Sequence, residues 1–437
     1  MGSMTSLSHK IAWNTVVQIL GKVASTSLGL LIVVILTRSL GRENYGVLTF
    51  ASVFVTMFGT LADWGITLIT VREASRGGNQ AKEIIGNVLV IRLILAAVAA
   101  VAAVAAIHLL PYSPMIRFLV ALNSLVLIAL SIKTSFQIIF NVKLAMHNWA
   151  ISEFSANALT IFLILFLVKT GLSLEGIVVA YLAGDVLAAV VAAFLGYRLL
   201  PLRYSLVAKT TKFLLLESLP MGAILVVFTI YNRIDTVILS LFKGNGAVGL
   251  YGIAYRVYEV LVLGAAYFAN AVLPLISRLA KDDHKRLGEV YRRCFVVLLL
   301  MGLAVAIGNL LLAPLAVMIL GGNDFVEAVV PLRILSLALL VSYFNHINGY
   351  TLIALGRQWQ SFFIAIAALS VNVGLNLWLI PYFSYNGAAA VTFVTEGMIL
   401  VFSLVIIKRE VGVLPAFSDI PLVLKELISK HGKIFEN

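Results

Sequence analysis

Apolar residues come in runs of about 20, long enough for one helical crossing of a bilayer, and short polar or Gly/Pro-rich turns separate them. These runs predict twelve helices near residues 12–37, 45–70, 84–109, 115–140, 150–168, 175–197, 213–242, 249–277, 294–320, 327–355, 361–380 and 387–407. Pro111 with Pro114, Gly171, Gly244 with Gly246, Gly321 with Gly322, and Pro381 with Gly387 mark the odd-numbered turns, as turn chemistry requires. The expected fold class is an all-α integral membrane protein of twelve transmembrane helices. Glu217 and Pro220 mark an expected kink in the seventh helix. Residues Leu279 to Arg293 form the longest expected loop.

The chain also repeats itself. A shift of 206 residues pairs Tyr45-Gly46 with Tyr251-Gly252, Arg72 with Arg278, Ala74 with Ala280 and Glu83 with Glu289. The expected organisation is an N-terminal lobe over residues 1–200, a C-terminal lobe over 201–408 and a tail over 409–437. Six helices per lobe make the repeat parallel, and a parallel repeat places a substrate cavity between the lobes. In the tail, Asp419 as cap, Pro421, and Leu422, Val423, Leu427 and Ile428 beside Lys425 and Lys430 read as a short amphipathic helix.

Composition agrees: 61% of the 437 residues are hydrophobic and 12% charged, against roughly a quarter charged in soluble domains. A large soluble domain is excluded, and no cleavable signal peptide is expected. Cys294 is the single cysteine, so an internal disulfide or a multi-cysteine metal site is excluded.

Lys and Arg number 32 against 20 Asp and Glu. The odd loops hold only Arg38, Arg42, Arg117, Lys169 and Lys243, whereas the even loops and termini hold most of the rest. By the positive-inside rule both termini are expected in the cytoplasm of a cell membrane. The net charge of +12 is then topology, and no nucleic-acid partner is expected.

Lys22, Arg92, Lys133, Arg233, Arg256 and Arg333 fall inside predicted helices, where each costs roughly 2.5–3.5 kcal/mol unless something offsets it. Arg92, Lys133 and Arg333 lie near helix ends and are expected to snorkel. Lys22 is central, on a stripe with Asn14, Gln18 and Ser25, and the second helix carries Ser52, Thr56, Thr60 and Asp63 at matching spacing. That pattern fits either a wet cavity, interhelical hydrogen bonds, or a Lys22–Asp63 salt bridge. Further on, Asn232, Arg233 and Asp235 precede Arg256 and Glu259, which are three residues apart and able to pair. Tyr251, Tyr255 and Tyr258 read as a sugar-facing wall or as belt aromatics, while Asn345, His346 and Asn348 add polarity to the tenth helix. Together Lys22, Arg233 and Arg256 predict a cationic cavity suited to an anion, phosphate above all.

At this point the residues resemble a family. Leu40-Gly41-Arg42-Glu43-Asn44-Tyr45-Gly46, then Phe50-Ala51 and Gly65-Ile66, look like the opening of the polysaccharide flippases of the MOP superfamily, and Asn232-Arg233-Ile234-Asp235 with Tyr251-Gly252 looks like the opening of their second half. The resemblance implies movement of a polyprenyl-pyrophosphate oligosaccharide to the outer leaflet by alternating access, for O-antigen, capsule or a related polymer. Polysaccharide assembly enzymes are expected as partners, and a monomer as the working unit, because the two lobes supply the transport pathway within one chain. It also assigns Lys22 and Arg256 to basic positions of lipid-pyrophosphate flippases. On this reading Lys22, Arg233, Arg256, Asn14, Gln18 and Tyr255 bind substrate, no residue is catalytic and no metal or organic cofactor is required.

Two other classes compete. A cation-coupled multidrug or small-molecule antiporter of the same superfamily would use an exposed acid, yet helix 1 has none between Met1 and Leu40. A membrane polymerase or glycosyltransferase would display an acidic or metal-binding loop, and no Walker A pattern offers direct ATP use. Asp63, Asp235, Glu217 and Glu259 are the candidates for proton or sodium coupling.

Overall fold

The computed structural model describes residues 2–415 and 420–421, with side chains at 18, 20–78, 80–415 and 420–421. The side chain of Asn14 lies outside the described residues, as do Asp419 and residues 422–437 of the expected tail helix.

The described residues are helical, without strands. In chain order they form α1 Gly2–Asp63, α2 Ile66–Arg76, α3 Ala81–His108, α4 Pro114–Ser124, α5 Val126–Val142, α6 His147–Thr170, α7 Leu174–Leu199, α8 Ala208–Tyr231, α9 Ile234–Asp282, α10 His284–Leu320, α11 Val329–Ala354 and α12 Gln358–Val411. Among these residues, nine helical stretches are long and apolar enough to cross a membrane. The protein is a multi-pass membrane protein. In hydrocarbon only a helix satisfies every backbone polar group within its own segment, and so these apolar runs coil rather than pair as strands.

Three helices contain a residue outside helical geometry: Gly41 in α1 (φ 68°), Gly244 in α9 (φ 77°) and Ser384 in α12 (φ 51°). Each lies in a turn expected from sequence. Three further interruptions fall inside runs expected to be continuous, at Trp64-Gly65 (φ 45° and 67°), at Leu125 between α4 and α5, and at Asn232-Arg233. α8 runs through Pro220, so helical geometry ends at Asn232 and not at the proline. The long loop expected at residues 279–293 is almost all helix instead. Asp283 Oδ1 accepts from the Arg286 amide at 2.9 Å and so caps α10 one residue after α9 ends.

The chain forms two compact units, 1–233 and 234–437. In the first, α7 packs on α5 and α6, α3 on α1 and α5, and α8 on α1, α2 and α3. Small residues permit this: Gly184 and Gly196 of α7 lie against Thr160 and Phe136, leaving no room for a Cβ. In the second unit α11 packs on α9, α10 and α12.

Candidate functional site

In the first unit the charged side chains sort into those already matched and those left open. Arg92, 1% exposed, reaches Asp63 and Thr67 through Nη2 and donates to Thr134 Oγ1 at 3.1 Å through Nη1. Lys133 sits 2.8 Å from Glu153 Oε1 and 3.2 Å from Asp185 Oδ1, with its ammonium over the Trp149 ring. Neither snorkels, contrary to the expectation for helix-end bases. A carboxylate on a neighbouring helix offsets burial more completely than a stretched side chain does. Arg333 is exposed and donates to the Leu310 carbonyl at 3.4 Å.

Asp63 therefore pairs with Arg92 and not with Lys22. Glu217 pairs with Arg72 at 3.0 Å. Lys22 is exposed and forms no ion pair with a described residue, and Gln18 one turn before it is exposed too. Ser25 on the same stripe accepts from Asn157 Nδ2 at 3.1 Å, and Thr60 bonds Thr229 at 3.0 Å. The stripe is thus hydrogen-bonded at Ser25 and open at Lys22. Arg233 lies half-buried in the turn between α8 and α9.

In the second unit the polar residues converge on α9. Asp235 is buried; it accepts from the Tyr251 hydroxyl at 2.5 Å and from the Thr236 amide at 2.7 Å. Tyr251, Tyr255 and Tyr258 meet in succession as tilted ring pairs with centroids 5.5 and 5.4 Å apart, and all three are buried. The Tyr258 hydroxyl lies 2.6 Å from Ser342 Oγ, and Asn345 donates to Glu396 Oε2 at 2.7 Å. Asn348 bridges the Tyr291 hydroxyl and Ser403 inside the bundle, and His346 bonds the Ser342 carbonyl. Arg256 meets Glu259 only at 3.7 Å and keeps 40% of its side chain exposed. That is a loose pair, which leaves the guanidinium edge open to an incoming anion.

The electrostatic asymmetry follows. Asp63, Glu217 and Asp235 each already hold a partner, and a coupling cation would have to displace it. Lys22 and Arg256 are the more available charges. Sequence reasoning missed Glu153, Asp185 and Glu396. Each is an acid inside an apolar run, which was the available signal.

Residues 11–280 match the polysaccharide biosynthesis protein family, well over half of the chain. The chain belongs to that family. Residues 220–378 of this polysaccharide biosynthesis protein also match the MatE family. It is 30% identical over 201 residues to the "Probable flippase AglR" of Haloferax volcanii, covering 44% of this chain and 40% of AglR. It is 28% identical over 174 residues to the capsular polysaccharide biosynthesis protein CapF of Staphylococcus aureus, covering 38% of this chain and 43% of CapF. The matches thus span about two fifths of either relative's length. Two solved structures share its fold: an inward-facing multidrug resistance MATE transporter of the MOP superfamily (TM-score 0.74, 17% identity, 89% of this chain and 94% of that one) and the lipid II flippase MurJ in an inward closed conformation (0.73, 14%, 96% and 93%).

Proposed function

We propose that this polysaccharide biosynthesis protein is a flippase that moves a polyprenyl-pyrophosphate oligosaccharide from the cytoplasmic to the outer leaflet by alternating access. Family membership frames the reading, and Lys22 carries it: a lysine in an apolar helix, exposed and without a described ion-pair partner, is retained at a cost that an anionic substrate offsets. The proposed architecture is twelve spans in two six-helix lobes, with both termini cytoplasmic in the cell membrane. Helix lengths support the count. α1, α9 and α12 have 62, 49 and 54 residues, rises of about 75–90 Å against a core of about 30 Å, and each contains a break: two thirds of the way along α1, in the first quarter of α9, directly after α8, and at the middle of α12. The pyrophosphate would meet Lys22, Arg233 and Arg256, the sugars Asn14, Gln18 and Tyr255, and the polyprenyl tail would stay in lipid. The chain would work as a monomer fed by polysaccharide assembly enzymes.

Coupling to protons or sodium through Asp63, Asp235, Glu217 or Glu259 belongs to the same proposal, and the structure gives each candidate a partner to exchange. A second reading, cation-coupled antiport of a small molecule, has the MatE match at residues 220–378 behind it.

Reconstitution in proteoliposomes with a polyprenyl-pyrophosphate oligosaccharide tests the choice. Wild type is expected to translocate it, and Lys22→Ala or Arg256→Ala to lose about tenfold each, the size of one charge-assisted contact. Absent translocation together with ion-driven efflux of organic cations would establish the antiporter instead.

A further inference from the structure

Away from the residues assigned to transport, α3, α5 and α7 form an open groove of about 880 Å3 on the first unit. Leu93, Ile132, Phe136 and Ala193 give it apolar walls. The groove surface itself is apolar throughout, and Tyr197 and Arg198 in the last turn of α7, with Tyr204 in the segment that follows, stand exposed at one rim of it.

That segment is held in place. The Arg203 amide donates to the Lys82 carbonyl at 3.3 Å, Leu202 is buried, and the Arg203 carbonyl lies so close to Gly86 that a Cβ there would overlap it. That rim of the groove is therefore preformed. Arg198 is the one charged group in its lining. Its guanidinium lies 4.1 Å from the Phe194 ring centroid and forms no ion pair with a described carboxylate. Burial and the neighbouring Tyr197 phenol raise the pKa of Tyr204, consistent with two phenols side by side at this rim.

An apolar groove rimmed by an exposed arginine without an ion pair to a described carboxylate, and by two phenols, is complementary to a molecule with a hydrocarbon chain and an anionic head. Inorganic phosphate would leave the groove empty, and a neutral lipid would leave the guanidinium unmatched. None of Lys22, Arg233 and Arg256 lines the groove, so its occupant would not be the cargo. We propose that this groove binds an anionic glycerophospholipid as a resident lipid, with an acyl chain between α3, α5 and α7 and its phosphate on Arg198. Its assignment to the cytoplasmic leaflet rests on the orientation proposed above; binding itself does not.

Native mass spectrometry of the full chain, offered equal phosphatidylglycerol and phosphatidylcholine, reads the site directly. Wild type is expected to retain phosphatidylglycerol preferentially. Arg198→Gln should cut that preference about tenfold, as expected for one charge-assisted contact, and Ala193→Trp should reduce retention of both lipids by filling the groove. Equal retention by wild type, or a preference unchanged in Arg198→Gln, overturns the proposal. So does stronger retention of a polyprenyl phosphate, which would make this a cargo site. Should the variants fail to fold, phosphatidylglycerol with a photoreactive acyl chain can be used on wild type. Crosslinks confined to α3, α5 and α7 peptides support the site, and crosslinks elsewhere overturn it. Neither readout measures transport, so its outcome is independent of the flippase reading.

Discussion

Arg92 and Asp63 form one ion pair with very unequal burial: Arg92 is 1% exposed and Asp63 37%. Removing either partner leaves the other behind, so the cost depends on which one remains. Asp63→Ala leaves a guanidinium sealed among α2, α3 and α5 and is expected to cost about 3 kcal/mol, at the low end for breaking a buried pair. Arg92→Met leaves a carboxylate that is already 37% exposed and should cost about half that. Thermal unfolding in detergent orders the two variants, and the reverse order would show that water reaches Arg92. Much of this chemistry was legible in the sequence as residue type and spacing, as with the exposed Gln18 and Lys22 and the Arg256–Glu259 pair. The partners of Arg92 and Lys133 were not. They lie 29, 20 and 52 residues away on other helices, and helical spacing ranks neighbours on one helix without saying how two helices are rotated against each other.

At the scale of elements, apolar runs located nearly every helix, their gaps held all three of the turns inside long helices, and a glycine marked the one at Gly244. The break at Trp64-Gly65 was not read from its glycine, because an apolar run continues across it and a tryptophan at positive φ is not a residue that local preference selects. Packing accounts for it. A Cβ on Gly65 would stand 2.9 Å from the Gly222 amide nitrogen, and one on Gly222 would stand 2.8 Å from the Trp64 carbonyl oxygen. The α1–α2 break and α8 therefore meet backbone to backbone. Gly222→Ala should push α8 off the break and cost about 1–3 kcal/mol, the usual cost of overpacking. Gly65→Ala should cost more, since it adds left-handed strain of about 1–2 kcal/mol. Equal thermal stability of Gly222→Ala and wild type would show that α8 does not press on the break.

For the whole molecule, the strongest sequence signal is the distribution of charge among the loops, and it makes a prediction that side-chain geometry does not. Cys294 is fully buried, so cysteines introduced at exposed positions can be read against a low background. Leu109 and Lys169 lie near turns poor in basic residues, whereas Gln80 and Asp282 lie near turns rich in them. With cytoplasmic termini and twelve spans, a membrane-impermeant maleimide added to intact cells should label Leu109→Cys and Lys169→Cys. It should reach Gln80→Cys and Asp282→Cys only after permeabilisation. The Lys169 and Asp282 pair bears on the helix break as well as on orientation. Between them run α7, α8 and the 49 residues of α9. If α9 left the membrane and re-entered at Gly244, that stretch would contain three crossings, an odd number, and the two labels would fall on opposite sides. Labelling on one side would give an even number and remove Gly244 as a membrane turn. Inversion of the whole pattern would preserve the twelve spans but place the resident lipid in the other leaflet.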